Sequence, residues 1–142
     1  MRPAVHFVTL STPDLDAARR FYVDGLGWTP LLDVPGEILF FQIAPGTVLG
    51  LFDAVKFAED SGDGGPVPPS GVTLAYNVPS EEEVVEVTGL FACSGASIVV
   101  SPEPGAFGGI FHAMVRDPNG VLWEIAHNPN WQVADDGTVS FG

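Results

Sequence analysis

The residues able to do chemistry in this chain are few: the histidines His6, His112 and His127, the single cysteine Cys93, and the carboxylate Glu124. Glu124 stands in the strand-like run Val121-Leu-Trp-Glu-Ile-Ala126, the one charge in an apolar stretch. Such a carboxylate is either a surface-accessible remnant or a working group, a general acid or base or an anchor for a positive ligand. Alternate strand residues face opposite ways. Phe111, Ala113 and Val115 are therefore expected to share a face with Leu122, Glu124 and Ala126 across a hairpin, with Phe41 on the same cleft face. His112 then points away, His127 is opposite in phase to Glu124, and His6 to Phe7. No two histidines are spaced along one strand to bind a common ion, so each reads as a core or strand-end residue with a hydrogen-bonded ring. One bulged residue reverses any of these phases.

The aromatic residues Trp28, Phe40, Phe41, Phe52, Phe107, Phe111 and Trp123 outnumber what the core requires, so part of the set is expected to line a cleft and stack on a planar ligand. Trp123, in phase with Ile125, is expected under a helix instead. Cys93 falls on a predicted helix with no basic neighbour, which reads as a buried structural thiol rather than a nucleophile. Gly105 to Gly109 lacks the lysine and the strand-to-helix setting of a phosphate loop, and no Ser or Thr sits in a nucleophile elbow.

The elements that would position these residues repeat. Val5 to Thr12 reads as a strand; Thr12 as N-cap and Pro13 at the first helical position open a helix that Gly25 and Gly27 end. Strands are expected at Trp28 to Asp33, Glu37 to Ile43 and Thr47 to Phe52. After a Gly- and Pro-rich stretch, the pattern restarts with a strand at Val72 to Val78 and a helix capped by Ser80 with Glu83, carrying Val84, Val87 and Leu90 as its buried stripe. Strands at Ser97 to Ser101, Ile110 to Arg116 and Val121 to Ala126 follow, the last two joined at Asp117-Pro-Asn-Gly120. Aligning the two halves sets Phe7 opposite Thr73 and Gly50 opposite Glu124. The expected fold is one α+β domain over residues 1–142, made of two βαβββ modules (4–60 and 71–129), a linker at 61–70 and a C-terminal hairpin at 130–142. Its mixed curved sheets should form a shared cleft, with helices on the outer faces.

A hydrophobic share of 46% supplies a core, and no apolar run approaches a membrane span. A net charge of −13 repels phosphate backbones, so neither nucleic acid nor membrane is an expected partner. With one cysteine and no leader-like start, the expectation is a soluble protein of the cytoplasm.

The segments Phe21-Tyr-Val-Asp-Gly-Leu-Gly-Trp28 and Asp117-Pro-Asn-Gly-Val-Leu-Trp-Glu-Ile125 resemble signatures of the vicinal-oxygen-chelate superfamily, which includes glyoxalases, bleomycin-resistance proteins and extradiol dioxygenases. Within it the chain is similar to small glyoxalase-like proteins. The resemblance places metal-ligand positions at Phe7, Gly50, Thr73 and Glu124, of which only Glu124 carries a ligand of the expected type. Together with Phe41 and Phe111 from the expected cleft face, these positions give a ligand site of Phe7, Phe41, Gly50, Thr73, Phe111 and Glu124, with Glu124 as the catalytic or anchoring group. No cofactor is expected, a divalent metal being the alternative through Glu124. Three functions stay open: metal-independent binding of an aromatic or cationic small molecule, a divalent-metal-dependent lyase, isomerase or dioxygenase, and a metal-free enzyme using Glu124. The resemblance also implies a homodimer.

Overall fold

The computed structural model describes residues 1–62, 70–106 and 108–142; most of the expected linker and Phe107 lie outside them. Strand β1 (Phe7–Thr12) leads through a short helix α1 (Leu15–Arg19), prolonged by a π-helical turn at 20–25, into β2 (Leu32–Val34), β3 (Ile38–Ala44) and β4 (Thr47–Asp53). Helix α2 (Ala54–Ser61) follows. The second module repeats the plan with β5 (Thr73–Asn77), α3 (Glu81–Cys93), β6 (Ser97–Pro104), β7 (Phe111–Arg116) and β8 (Leu122–His127). A terminal hairpin of β9 (Trp131–Val133) and β10 (Val139–Phe141) closes the chain. The two large sheets run β1-β4-β3-β2 and β5-β8-β7-β6, each with one parallel pair at β1/β4 or β5/β8. This is the expected pair of βαβββ modules, and neither sheet is closed.

Each sheet buries one face. In module one Val8, Leu10, Leu39, Phe41, Leu49 and Leu51 point inward; in module two Ala113, Val115, Trp123 and Ile125 do. Both inward faces join α1 and α3 in a single core. The π-helical turn makes this possible. Its wider winding, with the Leu26 amide donating to the Phe21 carbonyl at 2.9 Å, lets the consecutive rings of Phe21 and Tyr22 both be fully buried. Phe21 meets Phe91 of α3 at 5.6 Å between ring centres, and Tyr22 reaches toward Trp123. At Gly25 the modules touch so closely that a Cβ would lie 2.5 Å from that of Ser94.

Several local expectations are corrected. Helix α1 is capped by Asp14, whose carboxylate accepts from the Ala17 amide at 2.9 Å, because the Thr12 hydroxyl is spent on the Leu10 carbonyl. Helix α3 is capped by Ser80 as expected, but its buried stripe is Val84, Thr88 and Phe91; Leu90 is 47% exposed. Thr88 tolerates burial because its hydroxyl donates to the Val84 carbonyl at 2.6 Å. Helix α2 was not foreseen. It is started by the Asp53 carboxylate accepting from the Lys56 amide.

Candidate functional site

The geometry around Glu124 is set by the loop between β7 and β8. Asp117 is buried, and its Oδ1 accepts the amides of Asn119 and Val121 at 2.8 and 2.9 Å. With the Asp117 amide donating to the Val121 carbonyl at 2.9 Å, these bonds hold a loop over residues 117–121 in which Arg116 pairs with Leu122 and Met114 with Glu124. The expected phase of the hairpin is thereby reversed. Phe111 pairs with His127 and lies on the face opposite Glu124, whereas His112 shares Glu124's face. The His112 Nδ1–H donates to Glu124 Oε2 at 2.9 Å, since a carboxylate offers only acceptors. The pair is half-buried, with side-chain exposures of 22% and 34%, and leaves the imidazole Nε2 with no partner among the described residues.

Around the pair, the open face of the second sheet carries Leu122, Met114, Ala75 and Thr73, the last paired with Leu122 in register. The structure thus brings Thr73 and Glu124 onto one face, as expected. On the first sheet it does the same for Phe7 and Gly50. Phe41 is not with them: it pairs with Leu49 and is buried in the core, and Phe40 pairs with Gly50 instead. The Phe40 ring lies over Gly50, 3.2 Å from where a Cβ would be, and meets Phe7 edge-on at 5.5 Å. Gly50 is therefore the space that the Phe40 ring occupies. Phe7 is 53% exposed. Beside this patch, under α2, a recess of about 620 Å3 has Ile38, Phe40 and Phe52 as its floor and Glu37, Glu59 and Asp60 at its rim, with Lys56 bonded to Glu37 at 2.9 Å.

The other candidates fall into place. The His127 ring nitrogen Nδ1 lies 3.2 Å from the Val78 carbonyl, a strand-to-strand tie. His6 is exposed ahead of β1. Cys93 is exposed at the end of α3, which corrects the expectation of burial. Among the described residues no three His, Cys, Asp or Glu side chains converge as a metal site. Phe7, Gly50 and Thr73 add no carboxylate, imidazole or amide, so of these four positions Glu124 alone offers a metal-type donor, with His112 beside it.

A buried network that strand and helix patterning does not show joins the modules. The Tyr22 hydroxyl donates to Asp117 Oδ2 at 2.6 Å and accepts the Trp123 indole N–H at 3.0 Å. Desolvation, then the neighbouring Asp117 charge, raise the Tyr22 hydroxyl well above its usual range. Desolvation also raises Asp117, against the pull of its bonds to Tyr22, Val121 and Asn119. Asn119 in turn takes the Asp14 amide at 2.7 Å and donates to the Asp14 carbonyl at 2.8 Å, docking the loop on the start of α1. The signal was present in Asp117-Pro-Asn-Gly, whose side chains can bond backbone as well as turn it.

Between the modules lies a cavity of about 510 Å3, bordered by Val8, Trp28, Phe41 and Leu49 from the first and Leu74, Tyr76 and Trp123 from the second.

The family model described as Glyoxalase/Bleomycin resistance protein/Dioxygenase superfamily matches residues 4–125. A glyoxalase-related enzyme from Fulvimarina pelagi is 35% identical over 98% of each chain, with a TM-score of 0.85. A glyoxalase/bleomycin resistance protein/dioxygenase from Nocardioides is 28% identical, covering 89% of this chain and 84% of its own, with a TM-score of 0.73. A lactoylglutathione lyase from Agrobacterium tumefaciens is 25% identical, covering 89% and 94%, with a TM-score of 0.66. No curated protein matches the sequence.

Proposed function

Taking as premise that the chain belongs to the Glyoxalase/Bleomycin resistance protein/Dioxygenase superfamily, we propose that it binds an aromatic or cationic small molecule on its open sheet faces without a metal ion. The observation that carries this reading is the engagement of Glu124. It is the one carboxylate at the four family positions, and on a largely apolar face it is held by the single imidazole of His112, with no third His, Cys, Asp or Glu converging on the pair among the described residues. A half-exposed carboxylate fixed in orientation can pair with a positive group, and the Phe7 and Phe40 rings offer stacking surface. The acid-rimmed recess and the net charge of −13 favour cations further.

Metal analysis of the untagged protein, with manganese, iron(II), nickel and zinc titrations followed by thermal unfolding, tests the metal-free part. A ligand that prefers the folded state raises its midpoint. One tightly held equivalent, lost in Glu124→Ala, would overturn the reading.

A second reading is favoured by the same bond. A carboxylate that fixes an imidazole through Nδ1 leaves Nε2 oriented as a general base, so the pair suits metal-free proton transfer. By family resemblance we also propose a homodimer, and from the single cysteine a cytoplasmic location; sedimentation velocity checks the first and fractionation the second. No helix of the described residues is long and apolar enough to cross a membrane.

A further inference from the structure

We infer that the cavity between the modules is a second ligand site, one that takes a flat, uncharged aromatic molecule. Its volume of about 510 Å3 falls within the range, roughly 300–1,000 Å3, of small-molecule sites. Trp28, Phe41, Trp123 and Tyr76 supply its aromatic walls, and Thr29 and Gln42 its polar edge. No lining residue is charged, in a chain with a net charge of −13. A charged guest would lose hydration there with no partner to replace it, so the chemistry selects a neutral one.

The walls are held, not merely left over from packing. The Trp123 indole N–H is bound to the Tyr22 hydroxyl, and that hydroxyl is anchored on Asp117, so the ring cannot turn to offer its own donor. Trp28 is fixed edge-on against both Trp123 and Phe41, with ring centres 6.0 and 5.3 Å away. Trp123 thus presents the cavity with ring surface whose one polar atom is already used. At the polar edge the Gln42 amide donates to the Ala44 carbonyl at 3.2 Å, which leaves its Oε1 to accept from a ligand O–H or N–H. Tyr76, 51% exposed, stands at the mouth. Glu124 and His112 do not line this space, so the inference stands apart from the function proposed above.

The test is a titration of the full chain with 2-naphthol, followed by tryptophan fluorescence, beside the cation phenyltrimethylammonium and with sedimentation velocity on the same samples. Saturable quenching by 2-naphthol is expected, weakened about tenfold in Tyr76→Ala and unchanged in Glu124→Gln. Gln42→Ala should weaken 2-naphthol but not plain naphthalene, which has no donor. Tyr76 and Gln42 are both exposed, so an unchanged thermal midpoint verifies that these variants fold. Absence of saturable quenching, or equal affinity in wild type and both variants, would overturn the site. So would a dimer that Tyr76→Ala dissociates in a protein that ignores 2-naphthol, because the cavity would then be filled by a second copy. Response to the cation that depends on Glu124 alone reports on the proposed function, not on this cavity.

Discussion

The two modules share a strand order, a helix and a register, yet their open faces have diverged. Module one presents Phe7, Phe40 and a Gly50 that makes room for the Phe40 ring; module two presents Thr73 and a Glu124 tied to His112 at the matching positions. The inward faces, by contrast, are both aliphatic and aromatic and meet in one core. What a repeated unit must keep is the face that packs, because burial there drives folding. The face that does not pack is free to become apolar in one copy and acidic in the other.

The strongest way to break the comparison is to remove the residue that joins the copies. Asp117→Ala leaves the buried Tyr22 hydroxyl and the amides of Asn119 and Val121 without their acceptor, and is expected to cost about 3 kcal/mol in urea unfolding. An effect under about 1 kcal/mol would mean that the modules are held by packing alone. Next is Gly25→Ala, which drives a Cβ into Ser94 and should destabilise by about 2 kcal/mol. Adding Ser94→Gly should recover most of that, and a double-mutant cycle reads the coupling.

Smaller changes sharpen the contrast between the open faces. Glu124→Gln exchanges the charged acceptor for an amide and should cost about 1 kcal/mol or less in this half-exposed site. Its clearer signature is a shifted Nδ1 resonance of His112 in nitrogen NMR, with His127 unmoved. Smallest is Asp33, found only in module one, where Arg19 grips both its oxygens at 2.6 and 2.8 Å. The Arg19 bond and charge hold the Asp33 carboxyl below its ordinary value. A depressed carboxyl contributes stability above its unfolded value and loses it as pH falls through the folded one. Asp33→Asn should therefore cost about 0.5 kcal/mol at neutral pH and nothing in strong acid, as seen in urea melts at both pH values.

The modules were legible in the sequence because alternation, Gly and Pro turns and the Ser80 cap each act locally. The site was legible only in part. Phe40 and Phe41 are identical neighbours in one strand, so nothing local says which faces Gly50; the β3/β4 register decides it. His112 was set on the wrong face for a similar reason. Asn119-Gly120 suggests a two-residue turn, whereas the Asp117 backbone and side chain together close the loop on Val121, one residue longer, which changes the parity of everything beyond. Helix α2 was missed because its cap, Asp53, is also the last residue of a strand.

The bonds between Asp14 and Asn119 span 105 positions of the chain. During synthesis the first module emerges with Trp28 and Phe41 available to Tyr22, while Phe91 and Trp123 of the second have still to follow. Its helix can form early, but the tie that locks it must wait until β7 and β8 have been made. A contact of such long sequence separation is slow to close. The last tie on the first helix is thus one asparagine, supplied only when the second module is nearly complete.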